Sequence, residues 1–437
     1  MKKNIFKYLV IFFSSFIFSL IFFYIFGYVY CDEIWVYGFS YNLSECMMIY
    51  RDYNVLQMPL YFIIASGFIK IFGSYIISIH IFDSILFALM MMMLYKIIGW
   101  KYLIMLPVFM YNWPSGYNLL CLFFLILIIY LMYEKKDNDY LIAFIVGLCF
   151  ITKQNIGIFL FIPCFIYSKK KIKSICCFII PFLILSIYLI YNDAIYQFID
   201  YCFLGMIDFG ESNTQLYVSN FCLFLFNIMV ILFWLFKSKF KDKELFYVLS
   251  FQLLMYPIFD DRHYFCVSFP FLYLILKRIK SIHLLVIIGF AFCCFYFSLF
   301  FSLEHHINLD KSFDYLRNNG DSKILIEEVK KYVGDNENFF FTDYYGYYIK
   351  LYYDIQVSQY DLLLSGNVGY NGMEKKFREL DELCSKEKCY FFSSKFNNNE
   401  TVDVLFDQYK DFYNYIKDNY EKVDSLFEFD IYTNFLE

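Results

Sequence analysis

Long apolar runs, each closed by a short polar cluster, recur from residue 6 to residue 303 and then stop. They fall near 6–30, 75–95, 101–112, 116–133, 140–151, 156–168, 174–191, 216–236, 245–259, 264–276 and 281–303. A helix needs about 20 apolar residues to cross a bilayer. Most of these runs therefore predict membrane spans. The two shortest alternatively merge with their neighbours into kinked crossings near 101–133 and 140–168, and either counting leaves the later segments on the same side. The fold expected is an α-helical polytopic membrane protein of about eleven transmembrane helices. Its first run follows Lys2, Lys3 and Lys7, exceeds a signal-peptide core and lacks a small-residue cleavage site, so it reads as a retained first span.

From Glu304 the pattern changes to that of a soluble domain. Residues 337–344 and 388–395 read as buried strands, whereas 373–383 and 410–422 carry helical periodicity. Their alternation predicts a small C-terminal α/β domain. The organisation expected is a membrane part at 1–303 and a soluble part at 304–437. Tyr344, Tyr345, Tyr347, Tyr348, Tyr352 and Tyr353 suit core packing or sugar stacking, and 365–369 reads as a turn.

Composition strengthens the membrane reading. Hydrophobic residues make up 60% of the chain and charged residues 18%, against roughly 45–50% and 25% in soluble domains. The acidic tail leaves no basic face for nucleic acid. Before Glu304, the basic residues fall in segments assigned to one side, apart from Arg51, Lys70, Lys153 and Arg262. The positive-inside rule then makes the N-terminus cytoplasmic. An odd number of spans places the tail outside the plasma (inner) membrane. The cysteines mostly lie in apolar runs, where they act as small hydrophobes. Cys384 and Cys389 lie in the tail and are able to pair if that side is oxidising.

On this topology the polar chemistry gathers at the outer face. Asp32-Glu33 follows the first span: adjacent carboxylates supply a general base beside an orienting or metal-binding group, or are solvated charges at a helix end. Gln57-Met-Pro-Leu-Tyr-Phe62 opens an apolar stretch ending at Phe72-Gly73, and proline at a helix start costs no hydrogen bond. Thr152-Lys153-Gln154-Asn155 separates two short runs; its lysine either snorkels or holds an anion. Phe259-Asp260-Asp261-Arg262-His263-Tyr264 gathers ionisable groups in one turn, where charge near a membrane is costly and often functional. His80 and Asp83 lie one helical turn apart and suit a mutual pair. HExxH, paired CxxC and glycine-rich phosphate loops are absent from the sequence, which removes support for nucleotide chemistry.

Taken in order, these motifs resemble the GT-C glycosyltransferases, in the family 39-like branch of the protein O-mannosyltransferases and lipid A aminoarabinose transferase. The resemblance covers the whole membrane part. It implies transfer of a sugar from a polyprenyl-phosphate-linked donor to a glycan, lipid or protein acceptor, with membrane lipid as surroundings. It also implies Asp32 as the base on the acceptor hydroxyl, with Glu33 assisting or holding a divalent metal where one is used; no other cofactor is called for. Lys153, Arg262 and His263 would bind the donor phosphate, supported by Asp260, Asp261, Gln154 and Tyr61. The chain departs from the family at Met58, where a first proline is common, and at His80, near a common arginine.

Two other classes fit a polytopic chain. A transporter or flippase of lipid-linked sugars needs polar residues through several spans, and a receptor would leave the outer carboxylates and Lys153 unexplained. The topology is tested by tagging. A tag after Glu437 is expected to be reached by an impermeant reagent on intact cells, and one inside 169–173 only after lysis. A cytoplasmic C-terminus would put every motif in the wrong compartment.

Overall fold

The structure, a computed structural model, describes residues 2–26, 31–106, 116–134, 138–206, 208, 215–256, 258–259, 261–279, 320–334, 338–342, 350–351, 355–361, 363, 368–394, 404–426 and 429–434. The first helices are α1 (Lys2–Phe26), α2 (Cys31–Ser44), α3 (Leu60–Phe72), α4 (Ile76–Ile98), α5 (Gly116–Tyr133), α6 (Asp139–Phe150), α7 (Gln154–Tyr167) and α8 (Lys171–Tyr191). After them come α9 (Ile195–Ile199), α10 (Val218–Lys237), α11 (Lys243–Gln252), α12 (Asp261–Arg278), α13 (Gly320–Val333), α14 (Gly372–Cys384) and α15 (Val404–Asn419). The strands are β1 (Gln215–Leu216), β2 (Ile258–Phe259), β3 (Phe339–Phe341), β4 (Tyr390–Ser394), β5 (Glu421–Leu426) and β6 (Phe429–Thr433).

Among the described residues, five helices are long and apolar enough to cross a membrane: Ile5–Phe23, Ile76–Met105, Gly116–Tyr133, Lys171–Tyr191 and Val218–Lys237. The chain is a helical, membrane-embedded protein with a small sheet, and the expected eleven spans are not found. The reasons are local. Run 101–112 begins inside a 3-10 stretch, Gly99–Met105, that extends α4. Helices α6, α7 and α11 have 12, 14 and 10 residues, short of the ~20 a crossing needs. Helix α12 is longer, but it opens with Asp261-Arg262 and closes with Lys277-Arg278. Run 281–303 lies outside the described residues.

Internal contacts divide the chain into two compact units, neither continuous in sequence. One comprises Met1–Gly27, Gln57–Tyr188 and Gln215–Leu309; the other comprises Tyr28–Leu56, Leu189–Thr214 and Asp310–Glu437. The sequence boundary near residue 304 marks where apolar runs stop. The second unit also takes in two earlier segments, each following a long apolar helix.

In the first unit, Ile76–Met105 and Gly116–Tyr133 bury 72% and 61% of their most apolar stretch, against 22% for Ile5–Phe23 and for Lys171–Tyr191. The well-buried helices form the interior, and the others turn apolar faces outward. On α8 these faces carry Leu183, Ile184, Ile187 and Ile190, at helical spacing. Charged side chains bind one end together. The Lys7 ammonium lies 4.7 Å from the Tyr95 ring, and Lys101 donates to the Leu276 and Ile279 carbonyls at 2.9 and 2.6 Å. Arg278 pairs with Asp242 at 2.8 Å, and Lys277 pairs with Glu244. Helices α6 and α7 form a close hairpin. A β-carbon on Gly157 would stand 2.2 Å from the Phe150 Cα, so only glycine allows the two backbones to meet there.

The second unit is built on the sheet β3-β4-β6-β5, with β3 parallel to β4 and the other pairs antiparallel. Phe339, Phe341, Phe392 and Ile431 pack with Val329 and Val333 of α13. Phe340, Phe391 and Tyr432 pack on the other face with Leu380 of α14 and Phe412 and Ile416 of α15. Both faces are covered, which explains the unbroken Phe-Phe-Phe run where a one-sided strand would alternate. The expected strands and the helix at 373–383 are present. The 410–422 helix is α15, which ends at Asn419. A buried pair ties the next segment to β3: Lys350 Nζ donates at 2.7 Å to both Asp361 Oδ2 and the Phe339 carbonyl. Asp361 also accepts from the Phe341 and Ser358 amides at 2.9 and 2.8 Å. Burial pushes the Lys350 ammonium below the usual lysine range, and Asp361 pulls it back up. Cys384 and Cys389 are disulfide-bonded, joining the end of α14 to the strand β4 that follows.

The α6–α7 contact makes a direct prediction. Gly157→Ala is expected to destabilise the protein by roughly 1–3 kcal/mol through overpacking, read as a lower unfolding temperature in detergent. Gly67→Ala is the control, because a β-carbon there meets nothing within 4 Å. Equal stability of the two variants would show that the hairpin relaxes.

Candidate functional site

The α6–α7 hairpin places the first group of candidate residues. Helix α6 ends at Phe150, and Lys153 is the extended N-cap of α7, with φ −151° and ψ 108°. The buried Thr152 hydroxyl donates to the Leu148 carbonyl at 2.9 Å, which closes the last turn of α6. Pro59 precedes α3, and the next amide, Leu60 N–H, donates to the Ile151 carbonyl at 3.0 Å. The Pro-Leu-Tyr-Phe and Thr-Lys-Gln motifs, about 90 residues apart in the chain, are thereby fastened backbone to backbone.

Helix α5 completes the group. It begins at Gly116, whose φ of +60° is one that glycine adopts without strain. Lys153 Nζ donates to Asn118 Oδ1 at 2.9 Å and lies 5.3 Å from the Tyr117 ring centroid. The Tyr117 ring lies 6.4 Å from Phe62. A lysine at a helix N-terminus, beside an amide oxygen and an aromatic face, makes a site of positive potential. Such a helix end suits an anionic oxygen. Gln154, the first residue of α7, is buried. Tyr61 points elsewhere: its hydroxyl donates to Asp83 Oδ1 at 2.8 Å, and both residues are buried. His80 stacks on Phe23 with ring centroids 4.0 Å apart.

The acidic pair stands on α2, in the second unit. Asp32 and Glu33 occupy its first turn, the end of a helix that favours negative charge. Glu33 is buried; the Asp32 side chain lies outside the described residues. The far end of α2 is held by Asn42, 0% exposed. Its Nδ2 donates to the Val357 carbonyl at 2.9 Å, and its Oδ1 accepts from the Val357 amide at 3.4 Å. One side chain thus copies the two bonds of a strand pair. The Tyr53 hydroxyl donates to the Phe39 carbonyl at 2.9 Å and folds the loop after α2 back onto it.

The last motif sits at the start of α12 in the first unit. His263 is half-buried there. Asp261 and Arg262 belong to the same helix, with side chains outside the described residues, as is the whole of Asp260. The turn before it is fixed by the parallel pair β1–β2 and by Asn220, which donates to the Phe259 carbonyl at 3.3 Å. Deeper in the bundle, Asn227 donates to Gln252 Oε1 at 3.4 Å and Gln252 to the Val267 carbonyl at 3.0 Å. These amides tie α10, α11 and α12 to one another. Among the described residues no group of three His, Cys, Asp or Glu is disposed to hold a metal ion.

Sequence reading missed Tyr117, Asn118 and Asn42. The first two carried a signal: an amide at the start of the apolar run after Pro114-Ser115-Gly116. No protein-family model, curated protein or solved structure matches the chain.

Asn42→Leu is expected to leave the buried Val357 N–H and C=O unpaired, at about 1–3 kcal/mol per group. Hydrogen exchange at the Val357 amide then accelerates while the β4 and β6 amides stay protected. Unchanged exchange at Val357 would show that the Asn42 bonds carry no weight.

Proposed function

We propose that the chain is a membrane glycosyltransferase of the GT-C type, moving a sugar from a polyprenyl-phosphate carrier to a hydroxyl acceptor at the outer face of the membrane. The observation that carries this reading is the union of the Leu60, Tyr117-Asn118 and Lys153 segments around a lysine at a helix N-terminus. The departing group of such a reaction is an anionic lipid phosphate, and this cluster has the charge to receive it. The Cys384–Cys389 bond supports an oxidising, extracytoplasmic compartment for the second unit. The basic side chains bound together at one end of the first unit support a cytoplasmic end there.

In the proposed reaction the acceptor oxygen attacks the anomeric carbon as the bond from that carbon to the phosphate oxygen breaks. Asp32 takes the acceptor proton. Lys153 stabilises the charge growing on the departing phosphate, which is greater in the transition state than in the bound donor and therefore raises turnover. Glu33 orients its neighbour from a buried position, and Arg262 and His263 extend the phosphate site. Asn227 and Gln252 support the enzyme reading over a flippase, because their bonds are spent on neighbouring helices.

The test is purified protein in vesicles with polyprenyl-phosphate sugars and a hydroxyl acceptor. Lys153→Ala is expected to cut donor use about 10- to 100-fold, the value of a charge-assisted bond of roughly 1.5–3 kcal/mol. Asp32→Asn keeps the shape and removes the base, so transfer falls on the order of 10²–10⁴-fold with donor binding retained. Full transfer by folded Asp32→Asn would remove the base assignment. Movement of labelled lipid across the vesicle without any transfer would establish the flippase instead.

A further inference from the structure

We infer that residues 195–206 form an interfacial anchor that seats the second unit on the lipid surface. The segment is α9 followed by a π-helical turn, Asp200–Leu204. Its first residue comes four positions after the end of α8, one of the five helices fit to cross a membrane. It therefore starts at a membrane boundary.

The segment has two apolar faces. Phe198, Tyr201 and Cys202 are buried. Phe198 meets Tyr50 at 5.1 Å between ring centroids, and Cys202 Sγ donates to the Val55 carbonyl at 3.9 Å. The approach on this side is close: a β-carbon on Gly205 would stand 2.8 Å from the Gly369 Cα. The opposite face carries Tyr196, 83% exposed, with Ile199, Phe203, Leu204 and Met206 also exposed in part. Positions 196, 199 and 203 share one helical face. An exposed apolar helical face calls for a cover, either a core or lipid. Here one side already has its core.

The segment's one charge, Asp200, shares the spacing of positions 196 and 203 and is engaged by the second unit's own groups. Asp200 Oδ1 accepts from the Tyr370 amide at 3.1 Å, and Oδ2 lies 3.5 Å from Lys375 Nζ. The exposed face thus carries tyrosine at its start, a paired carboxylate, and aliphatic and aromatic groups along its length, a composition suited to the boundary between headgroups and acyl chains. Continuity with α8 makes the occupant that bilayer. The inference is independent of the proposed reaction.

It is tested by placing the photocrosslinker p-benzoylphenylalanine at Tyr196 or at Phe203 in the full chain, reconstituted in phosphatidylethanolamine–phosphatidylglycerol vesicles. Ile184, on the outward face of α8, is the positive control, and Lys417, exposed on α15, the negative one. Phospholipid adducts are expected at 196 and 203 at yields within about threefold of those at 184, and none at 417. Adducts at 184 but at neither 196 nor 203 would overturn the anchor. So would crosslinks from 196 and 203 to a second copy of the chain, or equal lipid labelling at 417. Tyr196 is 83% exposed, so a folded variant is available there even if Phe203 tolerates no change.

Discussion

The close meeting of α6 and α7 at Gly157 is the constraint on which the first unit's geometry rests. Two backbones that approach this nearly leave room for only a tight turn between them, and residues 151–153 supply it. That turn aims the Ile151 carbonyl at Leu60 and sets the start of α3. It also makes Lys153 an N-cap and brings its ammonium to Asn118 at the start of α5. A lysine near a membrane boundary is costly to desolvate. Here an amide oxygen, an aromatic face and a short stem out of the turn offset the cost together. Lys153 is held by its surroundings, and three elements converge on one small hairpin.

The second unit shows how a small sheet and its helices take hold of a helix made early in the chain. Helix α2 lacks a long apolar stripe of its own, yet Val36, Tyr37, Ser40 and Tyr41 are buried. Its far end is paired by Asn42 to a segment near the sheet, and its near end carries the acidic pair. The helix that carries the acidic pair is therefore tied to the Val357 segment, and that segment runs on to Asp361, which bonds Lys350 and the Phe341 amide of β3. The α/β part is structurally continuous with the chain's most acidic candidate site.

Much of this was legible in the sequence. The apolar runs marked the helices, and strands β3 and β4 fell where unbroken aromatic runs sat between charged residues. Thr152-Lys153 stood out because it interrupts apolar chain. The number of spans was not legible, because hydropathy registers apolar length whether or not the helix breaks. Runs 140–151 and 245–259 are apolar but end in turns after 12 and 10 helical residues. Asn42 was not legible either: its partner lies 315 residues away, and a lone asparagine in a tyrosine-rich stretch carries no local mark. Tyr117 and Asn118 fell between these cases, because a polar start to an apolar helix is visible but its partner is not.

The Asn42–Val357 bond also sets a timetable. Synthesis at about 5–20 residues per second puts on the order of 20–60 s between the emergence of α2 and that of its partner across 315 residues. During that interval Asn42 has no Val357 to pair with. The strands that finish the sheet, β5 and β6, are made later still. Helix α2 therefore waits, with Asn42 short of its partner, until the segment around residue 357 has been made.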